Sequence, residues 1–174
     1  MKPWGSLLAL VLAGCTAAPA REAASPDTAK ALPTIVSLNP CTDAILAEVA
    51  DPAQILAVSH YSHDPASSSM GVAAARRFGA TGGSVEEVLA LRPALVVDGN
   101  FTPPATRTAL KRLGLKLEQV PIGATVPESI AQIRRLAALA GHPARGEALV
   151  RRIEAALAAS RAPAGPQVPA LVWQ

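Results

Sequence analysis

An α/β fold, with a parallel sheet flanked by helices, is what this sequence predicts from Pro33 onward, and three observations carry the prediction. Short aliphatic runs recur: "TIVSL" at Thr34 to Leu38, "ILAVS" at Ile55 to Ser59 and "ALVVD" at Ala94 to Asp98. Each is apolar throughout rather than alternating, as strands covered on both faces are. Helical patterns with start and stop signals separate them, which is the signature of βαβ units. The composition agrees: 50% of the residues are hydrophobic and only 3% aromatic, so Ala-rich helices pack around aliphatic strands. At 174 residues the chain is the size of one ordinary domain.

Taken in order, Asn39 suits an N-cap and Pro40 the first position of a helix running through "NPCTDAILAEVA". A polar loop, a short Ala/Arg helix near Val72 to Arg77 and the Gly-rich turn "GATGG" come after the second strand. "SVEEVLAL" reads as a compact helix ended by Pro93, and "TPPATRTALKRLG" as a helix stopped by Gly114 before a fourth strand around "KLEQVP". From Pro127 to Ser160 the pattern is almost entirely helical, divided by Gly141 and Pro143. The second of these helices is expected to run about 27 Å at helical rise.

The first thirty residues differ. Lys2 precedes the apolar run Leu7 to Leu12, followed by "LAGC" ending at Cys15, which reads as an export signal too short to span a bilayer. Cleavage before a lipidated Cys15 is one reading; cleavage after "AAPA" at Ala20 is the other. The expected divisions are a signal over 1–14, a tether over 15–32, an α/β lobe over 33–141, a connecting helix over 142–162 and the opening strand of a further unit, "VPALVWQ", over 163–174. With Cys15 lipidated, Cys41 has no partner, and it is expected to be a small buried residue in a helix's first turn.

The net charge of +3 is small and its Arg residues are scattered, which argues against nucleic acid. Ligands of open parallel sheets bind beyond the carboxyl ends of the strands. The polar residues there are Asn39 and Thr42 after the first strand, His60, Tyr61, Ser62, His63 and Asp64 after the second, and Asp98, Asn100 and Phe101 after the third. His60, His63 and Asp64 are ligand types close together, so a metal-dependent enzyme is a rival reading, although no CxxC or HExxH accompanies them. Neither a nucleophile elbow nor a phosphate loop is present. Ser84 and Glu87 form an S-x-x-E capping box, which leaves Glu86 free to point outward.

"TIVSLNPCTDAIL", "ILAVSHYSHDP", "SVEEVLALRPALVV" and "LKRLGLKLEQVP", followed by a long helix, together resemble the class III periplasmic binding proteins of ABC importers, which deliver cobalamin and iron–siderophores. The resemblance covers Pro33 to Gln174. It implies a Rossmann-like lobe with a rigid interlobe helix, no enzymatic activity, no cofactor and no resident metal. Tyr61 would face the ligand from this lobe, with His60, Ser62, Asn39, Cys41, Thr42, Asn100 and Phe101 near it. Glu86 would dock on the ABC permease, and Cys15 would anchor a lipoprotein in the periplasm. The second lobe would be missing, so a scaffold domain that has lost capture is a further rival.

Overall fold

A computed structural model describes residues 31–161 together with 165, 169 and 171. The signal, Cys15, most of the tether and nearly all of "VPALVWQ" lie outside the described residues.

Five strands form one parallel sheet: β1 (Ile35–Ser37), β2 (Ile55–Ser59), β3 (Ala80–Thr81), β4 (Leu95–Asp98) and β5 (Leu117–Gln119), in the order β3-β2-β1-β4-β5. The register pairs Val36 with Val96 and Val96 in turn with Leu117. β1, the central strand, has all three residues buried, which is why its run shows no alternation. The expected "GATGG" turn is corrected: Ala80 and Thr81 pair with Val58 and Ser59 as the edge strand β3. Two residues with no aliphatic run carry no periodic signal, and it is the open edge of β2 that recruits them.

Among the described residues six α-helices accompany the sheet: α1 (Pro40–Val49), α2 (Val72–Ala75), α3 (Val85–Leu91), α4 (Pro104–Arg112), α5 (Val126–Leu139) and α6 (Pro143–Ala159). Alternate residues of β1 and β4 divide the core. Ile35, Leu95 and Val97 pack with Leu46 of α1 and Leu136 of α5, whereas Val36 and Val96 pack with Val88 of α3 and Leu110 of α4. Leu46, Leu110 and Leu136 are fully buried, and each is expected to contribute roughly 2–5 kcal/mol over alanine.

The punctuation acts as the sequence indicates. Asn39 caps α1 by accepting from the Cys41 amide, Pro40 occupies the first turn, and Gly114 takes φ +82° after α4. Thr125 and Glu128 form a second capping box, at α5; its T-x-x-E spelling stood in the sequence. Gln54, almost wholly buried, locks the α5–α6 junction to the sheet. Its amide nitrogen donates to Pro33 O at 3.0 Å and Ala140 O at 2.9 Å, while its oxygen accepts from the Asp51 amide at 2.9 Å and meets His142 Nε2 at 3.0 Å. Asp51 adds contacts to His142 at 3.2 Å and Arg145 at 2.8 Å. Among the described residues no helix is long and apolar enough to cross a membrane.

Candidate ligand-binding site

The chain winds outward in both directions from β1, so the loops leaving β1 and β4 diverge and open a crevice at the strands' carboxyl ends. Three grooves meet there around Asn39 and Phe101. One of about 280 Å³ is lined by His60, Tyr61, Gly82, Gly83 and Gly99 among others. A second, about 300 Å³, runs past Cys41, Thr42 and Ile45 to Ile122 and Gln132, and a third, about 410 Å³, lies between Cys41, Tyr61 and Ser69. The two loops diverge from a close start: a Cβ built on Gly99 would meet Asn39 Nδ2 at 2.5 Å.

Two aromatic side chains flank the crevice. Tyr61 is 51% exposed on a 3-10 turn, His60–His63, and Phe101 is 78% exposed on the loop after β4. Both rings line the same two grooves, so their faces are available for stacking there. His60 stacks against Tyr61 with ring centroids 4.0 Å apart, and its Nδ1 lies 3.3 Å from Thr81 O.

The other expected residues divide. Cys41 is exposed rather than buried, because Pro40 starts the helix and the next position turns toward the crevice; it carries no disulfide and lies 3.7 Å from Ser69 Oγ. Thr42 reaches a groove wall, but its hydroxyl is engaged with Asn39 O at 2.9 Å and Ser37 Oγ at 2.8 Å. Ser62 turns away from the crevice altogether: it is fully buried and donates to Asp43 Oδ2 at 2.7 Å. Asn100 is exposed and meets Gln119 Nε2 at 3.5 Å, outside the three grooves.

The metal-ligand set of His60, His63 and Asp64 does not assemble. His63 Nε2 bonds Ala75 O at 3.1 Å, and Asp64 accepts from the Ala66 amide and the Ser67 hydroxyl, which holds its carboxyl below the usual range. No metal-binding cluster occurs among the described residues.

Two buried carboxylates stand beneath the crevice, one of which, Asp43, sequence reasoning missed. Asp43 is fully buried; desolvation pushes its carboxyl up to about 7, although the neighbouring Ser37 hydroxyl and the hydrogen bonds from the Ser62 hydroxyl and the Ser59 amide pull the other way. Asp98 ends β4, equally buried, with neither oxygen hydrogen-bonded and Arg107 Nε 3.6 Å away. Burial raises its carboxyl despite the nearby charges of Arg107 and Lys111. No local pattern marks Asp43 as buried. It is the fourth residue of an ordinary helix start, and only the tertiary fold encloses it.

The family described as periplasmic binding protein matches residues 35–174. The chain belongs to the periplasmic binding protein family. Solved structures sharing its fold include a periplasmic heme-binding protein from Pseudomonas aeruginosa, with TM-score 0.62 and 21% identity over 74% of this chain and 46% of that one. The vitamin B12-binding protein BtuF of Vibrio cholerae matches with TM-score 0.58 and 22% identity over 72% and 48%. The heme-binding protein RhuT from Roseiflexus sp. RS-1 matches with TM-score 0.59 and 25% identity over 74% and 49%. This periplasmic binding protein thus spans about half the length of the structures it matches. No curated relative matches it.

Within that family frame, α3 presents its two glutamates differently. Glu87 closes the capping box, accepting from the Ser84 amide at 3.3 Å and the Thr81 hydroxyl at 3.0 Å, bonds that lower its carboxyl. Glu86 is exposed and takes no part in the box.

Proposed function

We propose that this chain forms one wall of the ligand cleft of a periplasmic receptor that feeds an ABC importer. The exposed pair Tyr61 and Phe101, flanking the carboxyl ends of the strands, is the observation that carries the reading. Two rings on either side of a shallow crevice suit a large, flat metal chelate: a corrinoid, a heme or an iron–siderophore complex. Heme-binding and vitamin B12-binding proteins among the matched structures support that class. Binding is capture without chemistry, by stacking and polar contacts from Asn39, Cys41 and His60. α6 would serve as the connector to a second wall, Glu86 would dock on cationic side chains of the permease, and Cys15 would carry a lipid anchor. A charge pair of the kind Glu86 would form acts mainly in orientation and specificity.

The test is an NMR titration with hemin, cyanocobalamin and ferrichrome, suited to the weak affinity expected of a single wall. Shifts clustering on Asn39, Tyr61 and Phe101 with at least one probe, and lost in Tyr61→Ala, are expected. Absence of shifts with all three probes, or shifts scattered away from the crevice, would refute the reading. In a cell importing the ligand, Glu86→Lys should abolish uptake while leaving those shifts unchanged.

A further inference from the structure

We propose that Asp43 is the positioning residue of the cleft: its buried carboxylate fixes the His60–His63 turn and thereby the place of Tyr61. This rests on the reading of Tyr61 as a ligand contact. The need for it arises from the sheet. β1 ends at Ser37, and in the β1–β2 ladder Val36 is the last residue to pair, with Ala57. The Val58 amide donates outward to Gly79 O on the β3 side, so the next amide, that of Ser59, faces the β1 side, where the ladder has stopped. A buried amide left there without an acceptor would be costly. Asp43 Oδ2 supplies the acceptor at 2.9 Å.

The same oxygen accepts the Ser62 hydroxyl at 2.7 Å. One atom therefore grips the chain on both sides of His60 and Tyr61, at the residue before them and the residue after them. Ser59 transmits the grip, since its hydroxyl receives the Tyr61 amide at 3.4 Å. A residue kept only for packing would be an apolar one of similar size, because a buried carboxylate is a poor core component. Here Oδ1 has no partner at all, so the site tolerates an unsatisfied oxygen to keep the other one in place. The neighbouring β4 loop has no such device, and Phe101 is correspondingly the more exposed ring.

Tyr61 is the chain's single tyrosine, so fluorotyrosine labelling gives one ¹⁹F resonance that reads this position alone. Asp43→Ala should shift or broaden that resonance in the free protein, and weaken binding of whichever of hemin or cyanocobalamin binds the wild type by about tenfold. Asp43→Asn keeps an oxygen acceptor of the same shape and should restore both. Should Asp43→Ala fail to fold, Ser62→Ala removes one of the two grips and should produce the same shift at smaller size. A Tyr61 resonance unchanged in folded Asp43→Ala, or unchanged in Ser62→Ala where only that variant folds, overturns the proposal. If neither probe binds the wild type while the resonance still moves, the positioning role stands and the ligand reading fails.

Discussion

The turn after β2 and the loop after β4 deliver the two aromatic rings of the crevice, yet they are held in opposite ways. The first is gripped at Ser59 and Ser62 by a buried carboxylate and carries further bonds from His60 and His63 to backbone carbonyls. The second has the Thr102 amide 3.4 Å from Gly99 O and the 3.5 Å contact of Asn100 with Gln119, both long, and beneath it a carboxylate, Asp98, that pairs with Arg107 of α4 and takes no hydrogen bond from the loop. Burial of an acid is thus not itself informative. What matters is whether the acid has donors, and here that separates a fixed wall of the crevice from an adaptable one.

The contrast is tested most forcefully through pH. Asp43 titrates near 7 in the folded protein against 3.8 when exposed, so the folded state binds the proton more tightly. Asp43 is therefore expected to make stability fall as pH rises from about 4 to about 7 and level off above that, by up to about 4 kcal/mol, and in Asp43→Asn the slope should flatten to the part that Asp98, also raised by burial, leaves; urea unfolding across that range measures it. On the β4 side, Arg107→Ala leaves Asp98 without its nearest cation. A loss of about 2 kcal/mol is expected at pH 7, shrinking toward pH 4 as Asp98 takes up a proton, and a loss independent of pH would mean that Arg107 acts through packing instead. Gly99→Ala pushes a methyl group against the Asn39 side chain, which can yield because it is a side-chain end. About 1 kcal/mol is expected, with displaced Asn39 amide resonances. Phe101→Ala should change stability by less than about 0.5 kcal/mol while weakening probe binding, which thermal melts paired with the titration would separate.

Much of this was legible from residues alone. β1, β2 and β4 announce themselves as unbroken aliphatic runs because both faces of a parallel sheet are covered, and the caps at Asn39 and Ser84 are local chemistry that needs no fold to be recognised. Tyr61, Phe101, Asn39, Cys41 and His60 all lie just past the carboxyl end of a strand, where the topology of an open parallel sheet places ligand contacts. Where that rule fails it fails through side-chain direction: Ser62 leaves the same strand as Tyr61 but turns inward to Asp43, and Cys41 turns outward where a small apolar residue would be expected to hide. Asp43, Gln54 and β3 were invisible for a common reason. Each is defined by a partner far away in sequence, an open strand edge or an orphaned amide, and no local pattern records that.

Gln54 has a consequence for how the chain acquires its structure. Besides the nearby Asp51 amide, its side-chain partners lie 21, 86 and 88 residues away, so the segment between α1 and β2, made early during synthesis, has its bonds completed only when Ala140 and His142 have emerged. Until then this buried side chain has only Pro33 O and the Asp51 amide to bond, and its bonds to Ala140 and His142 are unmade. Closure of the sheet is therefore tied to docking of the last helical pair, and folding of these residues is expected to be one late cooperative event rather than a stepwise accretion from the N-terminal side.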